Sequence, residues 1–370
     1  MLFRLIAVFS LAVASAFAAP PEFAVRSYVL LEAQSGQVLA QKEADVALPP
    51  ASITKLMTAY LVFEALRDGR ITLDDEVPVS QTAYAQKGSR MFIEVGSRVK
   101  VHDLLQGLIV QSGNDAGIAL AEQIGGSVDG FVAMMNDAAQ RLGMHESHFL
   151  DPVGLGGEGH VMSARDIATL SRQLATNFPD YYHYYSQKSY TWNKITQENR
   201  NRLLFTNPRV DGLKTGHTNA AGYCLASTEK RGDLRLIAVV LGAEEEKTRY
   251  EASQALLDYG FSRFQEVTLL RDDHLLKQVR VWKGESDSVA VRAAHSVRQW
   301  LPRDAPNTVR ATVNVPTLVA PVAAGQKIGN IVLHQEGKTL ATVDALAAHV
   351  VPEGGFFRRS WDGLQLIFED

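Results

Sequence analysis

Strand-like runs stand at both ends of the first ~265 residues and helical runs fill the space between them. Residues 27–41, SYVLLEAQSGQVLAQ, read as two strands around a turn at Gly36. From Val210 the strand pattern returns in VDGLKTG and GYCLAST. A turn at Arg231-Gly232-Asp233 then leads into LRLIAVVLGA. This order predicts one mixed α/β domain whose sheet pairs early strands with late ones.

The helical middle has clear boundaries. One helix opens near Ser52 and ends by Gly69, and residues 101–124 form two helical runs broken at QSGND. In SARDIATLSRQLAT, Ser163 is placed to cap a helix, with Asp166 three residues later. RYEASQALLDYGF closes this part as a helix. Beyond Gln265 the character changes. Short runs such as LKQVRVWKG, VRATVNV, KIGNIVL and TLATVDAL alternate with turn residues, which predicts a small all-β domain over residues 266–353. In the tail, residues 354–370, Phe357, Trp361, Leu364 and Phe368 fall on one helical face, as in a helix lying in a membrane interface; the alternative is a helix docked on its own domain or a frayed end. A short apolar run and an A-x-A pattern at Ala16 and Ala18 read as a signal peptide over residues 1–18.

The mature domain then runs over residues 19–265. It is exported, and its single cysteine, Cys224, cannot form an internal disulfide. A net charge of −4 without a basic stripe argues against nucleic acid as a partner. In GMHESHF, His145 and His148 flank Glu146, but the spacing is not H-E-x-x-H and no third ligand is evident, so no metal is expected. YYHYY, residues 181–185, reads as a packed or surface aromatic cluster rather than a cofactor box.

The chemistry starts in PPASITKLMTAY. From Ile53 to Leu66 the only polar residues are Thr54, Lys55, Thr58 and Glu64, so this helix is buried nearly all round. Burial and the positive helix end both disfavour an ammonium on Lys55. A neutral lysine is a base, and at i+3 it reaches the Ser52 hydroxyl. Alone, S-x-x-K is a weak signal. Two further stretches strengthen it. QSGND places Ser112 and Asn114 in a break between apolar helices, at a cavity edge, and DGLKTGHT places Lys214, Thr215 and Gly216 on a strand. Lys214 offers a cation to a carboxylate. Gly216 allows a substrate backbone to approach an edge strand and add to it.

S-x-x-K, S-x-N and K-T-G in this order resemble the motif set of penicillin-binding proteins and class A β-lactamases. With SARDIA, NRNRLLF, VDGLKTGHTNAAGYCLAS, the β-rich second domain and the amphipathic tail, the chain resembles the low-molecular-mass penicillin-binding proteins. These are serine-type D-alanyl-D-alanine carboxypeptidases. The resemblance implies a β-lactamase-like transpeptidase domain with an antiparallel sheet and a helical subdomain. It implies Ser52 as nucleophile, Lys55 as base, and Ser112 and Asn114 as proton-return and positioning groups. Lys214, Thr215, Gly216 and His217 would hold the substrate's end, with Arg249 near its carboxylate. The oxyanion donors would be the backbone N–H groups of Ser52 and His217. No cofactor is implied. The partners would be peptidoglycan stems ending in D-Ala-D-Ala, β-lactams as inhibitors, and a membrane surface at the outer face of the inner membrane.

Cys224 is not required by the resemblance and is expected to pack as a small hydrophobe. The loop DPVGLGGEGHVMSARD is glycine-rich and is expected to move above the site. Its Glu158 does not match the context of a deacylating glutamate. The competing readings are a β-lactamase or DD-endopeptidase sharing the motifs, and a slow binding protein that holds peptide ends. The second domain and tail argue against a β-lactamase, and an intact nucleophile–base pair argues against a pure binder.

Overall fold

The computed structural model describes residues 20–305, 308–335 and 337–367. The signal segment expected over residues 1–18 lies outside them, as does Phe368. The chain divides into two compact units between Arg263 and Phe264.

The first unit is built on a five-stranded antiparallel sheet. Its strands are Ser27–Glu32 (β1), Val38–Lys42 (β2), Val210–Thr218 (β3), Gly222–Arg231 (β4) and Leu234–Ala243 (β5). The order is β2-β1-β5-β4-β3, so β1 pairs with β5 across most of the domain's sequence. Every residue of β1 is buried, as is most of β5. A sheet covered on both faces explains why LRLIAVVLGA is a continuous apolar run rather than an alternating one. Gly232 takes φ +63 in the β4–β5 turn, as the hairpin reading requires.

The helical middle comprises Lys55–Arg67 (α1), Val101–Ile109 (α2), Asn114–Gly125 (α3), Val128–Arg141 (α4) and Ala164–Asn177 (α5); Glu246–Arg263 (α6) follows the sheet. Gly260 lets α6 lie close on the sheet, since a Cβ there would sit 2.5 Å from a Leu236 methyl. Around α1 nearly every residue from Lys55 to Leu66 is buried, Glu64 alone being half-buried. Each large apolar side chain enclosed there stabilises the fold by ~1.5–3 kcal/mol. Ser163 caps α5 by accepting from Asp166 N–H at 3.1 Å. The Asp166 carboxylate does not complete the reciprocal cap; it takes the Ser147 hydroxyl and the Glu146 N–H. In residues 181–185, Tyr182, Tyr184 and Tyr185 are buried, and Tyr184 and Tyr185 pack with Phe63.

The second unit carries a six-stranded sheet over its own apolar core, plus a two-stranded ribbon of Phe264–Leu270 with Val297–Pro302. It ends in a helix, Phe356–Leu366 (α7). The polar side of α7 is tied to its own unit. Asp362 accepts from the Lys283 N–H, Gln365 accepts from Arg280 at 3.2 Å, and Arg358 pairs with Asp287. The other side carries Phe357 (89% exposed), Trp361 (64%) and Leu364 (58%) into the open. No helix among the described residues is long and apolar enough to cross a membrane.

Candidate active site

Ser52 does not lie on the α-helix itself. Ala51–Thr54 forms a 3-10 turn after Pro49-Pro50, and α1 begins at Lys55. In 3-10 geometry residues i and i+3 eclipse, which brings the two side chains together. Lys55 Nζ lies 2.9 Å from Ser52 Oγ and donates to the Val153 carbonyl at 2.8 Å. Lys55 is 1% exposed. That burial pushes its amine down from 10.5 to about 7, with Arg200 acting the same way and Asp151 and Asp115 opposing.

A cavity of about 260 Å³ opens over Ser52. Ser112, Thr215, Gly216, His217 and Arg249 line it, together with Ser89, Arg200, Tyr223 and Glu246. Ser112 adopts φ +59 in the α2–α3 break and Ala51 φ +50 beside Ser52, so both serine-bearing turns hold a non-glycine residue in the left-handed region. Such conformations cost about 1 kcal/mol or more and cluster at functional sites.

Strand β3 forms one wall. His217 faces Tyr223 across the β3–β4 ladder, with ring centroids 4.0 Å apart and stacked. Gly216 has a packing task that its place on an edge strand does not reveal. A Cβ there would lie 2.7 Å from the Pro50 carbonyl, so the glycine lets β3 pack directly against the turn carrying Ser52. Lys214 is buried and donates to the Thr215 carbonyl at 3.2 Å. Burial holds its amine well below the ordinary lysine range, and Lys55, Arg200 and Arg249 push the same way. Arg249, on α6, reaches the Gly216 carbonyl at 3.3 Å and pairs with Glu246 at 2.8 Å. Its buried Nε has no partner among the described residues.

Asn114 is buried beside the cavity-lining turn of Ser112. Its amide donates to the Lys87 carbonyl at 2.6 Å, and its backbone N–H to the Ser89 carbonyl. It thereby holds the segment that brings Ser89 to the cavity. Asp115 does the same from α3, accepting from the N–H groups of Met91 and Phe92 at 3.0 and 2.8 Å. Sequence reading passed over Asp115, Arg200, Ser89, Tyr223 and Glu246. Asp115 and Arg200 do stand inside quoted motifs, QSGND and NRNRLLF. Ser89 and Glu246 lie in stretches without any motif.

The glycine-rich loop is anchored rather than loose where it meets α1. Thr58 donates to the Pro152 carbonyl, and His160 Nε2 lies 2.8 Å from Thr54 Oγ1. Glu158 is exposed and lines a separate cavity with Pro49, Leu155 and Thr218. Cys224 is fully buried opposite Gly216 in the ladder, and burial pushes its thiol up to about 11, consistent with a packing role.

This geometry has counterparts among known proteins. Residues 14–245 match the D-alanyl-D-alanine carboxypeptidase family, and residues 264–353 match the C-terminal domain of penicillin-binding protein 5. The D-alanyl-D-alanine carboxypeptidase DacC of Escherichia coli is 40% identical over 94% of this chain and 89% of its own length. Penicillin-binding protein 5 from Haemophilus influenzae superposes with a TM-score of 0.81 at 37% identity, covering 90% of this chain and 99% of that one. The ampicillin-bound form of penicillin-binding protein D2 from Listeria monocytogenes superposes at 0.57 with 31% identity, over 65% of this chain and 99% of that one. With its serine and lysine in contact at the mouth of a cationic cleft, this chain belongs to the serine-type D-alanyl-D-alanine carboxypeptidases of the penicillin-binding protein family.

Proposed function

We propose that this carboxypeptidase works through an acyl-enzyme on Ser52, with Lys55 as the base. The observation that carries the reading is the 2.9 Å contact between Lys55 Nζ and Ser52 Oγ, made by an amine that burial holds near pH 7. Ser52 Oγ attacks the carbonyl carbon joining two terminal D-alanines of a peptidoglycan stem, and its proton passes to Lys55. Backbone N–H groups of Ser52 and His217 stabilise the oxyanion. Ser112 relays a proton to the departing nitrogen, and D-alanine leaves. Water then cleaves the ester and frees Ser52. Asn114 supports the site by holding the Ser89 segment.

The terminal carboxylate of the substrate is held by Lys214, Thr215 and Arg249. Burial, and after it the neighbouring Lys55, Arg200 and Arg249, disfavours a proton on Lys214. An arriving carboxylate opposes these effects and favours the ammonium form of Lys214. A β-lactam offers the same pair of features, a reactive amide carbonyl and a nearby carboxylate, so benzylpenicillin acylates Ser52. The test is D-alanine release from an acyl-D-Ala-D-Ala peptide. Ser52→Ala loses it entirely; release that survives this substitution rules out the assignment.

We place the enzyme outside the cytoplasm, on the outer face of the inner membrane, with residues 1–18 as signal peptide and residues 354–370 as the anchor. The support for the anchor is the polarity of α7: its polar side is bound within its own unit while Phe357, Trp361 and Leu364 face outward. Removing residues 356–370 is expected to abolish co-sedimentation with phosphatidylglycerol-containing vesicles and to leave D-alanine release unchanged. Undiminished sedimentation of the shortened chain would place the membrane contact elsewhere.

A further inference from the structure

The glycine-rich loop contains two polar side chains that the steps above do not use, the half-buried Asp151 and the buried His160. Asp151 Oδ1 accepts from the N–H groups of both Val153 and Gly154 at 2.6 Å. The Gly154 N–H and the Val153 carbonyl belong to the same peptide unit. That unit is therefore bound on one side by a carboxylate and on the other by Lys55 Nζ at 2.8 Å. Because a peptide is planar, fixing its N–H fixes the direction of its carbonyl. A carboxylate on the N–H also polarises the carbonyl and strengthens it as an acceptor.

His160 secures the same loop from the other end. Its Nδ1 accepts from the Leu150 N–H at 3.1 Å, so the ring is neutral with its proton on Nε2, facing Thr54 Oγ1. Burial keeps this imidazole below its ordinary range. Thr54 immediately precedes Lys55. Gly156 fits where a Cβ would lie 2.6 Å from His160 Nδ1 and 3.0 Å from Asp151 Oδ2, so the loop closes tightly around both groups.

We propose that Asp151 is a positioning residue for the reaction, acting through the Val153–Gly154 peptide to aim the amine of Lys55 at Ser52, with His160 locking the loop to the turn that carries both. This rests on Lys55 being the base. Four charged groups bear on that amine: Asp151 from the loop, Asp115 from α3, Arg200 from the segment before β3, and Lys214 from β3. Asp151 is the first of them to favour the protonated form. Asp151→Asn keeps an acceptor of the same shape and removes the charge. The protonated form of Lys55 is then less favoured, and the amine is free at lower pH.

The experiment is the rate of acylation by benzylpenicillin between pH 5 and 10, for the wild type, Asp151→Asn and Asp151→Glu. The acid limb of Asp151→Asn is expected to move down by at least about 0.5 pH. An unmoved midpoint overturns the proposal, whatever happens to thermal stability. If the asparagine variant does not fold, Asp151→Glu decides. It keeps the charge and displaces it, so its plateau is expected to fall at least about tenfold with the midpoint held. A wild-type plateau overturns the proposal. Lys55→Met, run alongside, separates the two claims, since only the failure of Lys55 as base would leave that variant acylating normally.

Discussion

Lys55→Met is expected to acylate ~10²–10⁴-fold more slowly than the wild type, the usual worth of a placed general base, and at the same time to be more stable below pH 7. The two effects have one cause. The wild-type amine binds its proton at 10.5 when unfolded and at about 7 when buried. Above 10.5 both states are neutral and burial carries no ionisation penalty. As pH falls from 10.5 towards 7 the unfolded chain takes up a proton that the folded chain does not, so stability is lost across that window. Below 7 the full penalty applies, about 5 kcal/mol at ~1.4 kcal/mol per pH unit. Methionine removes it but leaves the Val153 carbonyl without its donor, which costs ~1–3 kcal/mol. The net gain of ~2–4 kcal/mol below pH 7 should shrink as pH rises and give way to a loss of ~1–3 kcal/mol above 10.5 in denaturation curves. Wild-type acylation should rise with pH through about 7 and then level. A variant that is slower but no more stable at pH 6 would mean that Lys55 is not held against its charge.

Gly154→Ala is expected to be among the most damaging single methyl additions in the chain. Gly154 has φ +88, and a Cβ would lie 1.9 Å from the Ala51 carbonyl oxygen and 2.9 Å from Thr54 Oγ1. Both contacts are with the turn that carries Ser52, and one is backbone, which cannot swing aside. Strain of this kind costs ~2–4 kcal/mol. Relief requires the loop and the turn to separate, which withdraws the Val153 carbonyl from Lys55. Acylation should therefore fall by at least ~10²-fold. The readouts are the denaturation midpoint and the benzylpenicillin rate. By contrast, no neighbour lies within 4 Å of a Cβ at Gly157, so an alanine there should be tolerated.

The architecture was legible because its signals are local. Continuous apolar strands, a capped α5 and the Gly232 turn each announce themselves within a dozen residues. The three motifs were legible only together, since S-x-x-K alone is a weak signal; one residue or more of each, Ser52, Ser112, Thr215 and Gly216, lines the same cavity. What stayed hidden depends on pairings distant in sequence. Gly216 reads as an opening for substrate backbone, but its necessity comes from Pro50, which lies next to it only after folding. Asn114 reads as a positioning group at a cavity edge, and the partner of its Nδ2, the Lys87 carbonyl, comes from a segment that carries no motif. Asp151 and His160 read as part of a loose glycine-rich loop, since glycine suggests freedom. In the fold Gly154 permits close packing against the turn that carries Ser52, and Gly156 lets the loop close around Asp151 and His160. The 3-10 start of the helix was also invisible, because helical periodicity does not distinguish a 3-10 turn from the first turn of an α-helix.

The most direct test of the account is to locate the covalent adduct. The protein is incubated with benzylpenicillin, weighed intact by mass spectrometry, digested and mapped, with Ser52→Ala beside it. The account predicts one adduct per chain, on the peptide containing Ser52, and none in Ser52→Ala. An adduct that persists in Ser52→Ala, or its absence from the wild type, would contradict it.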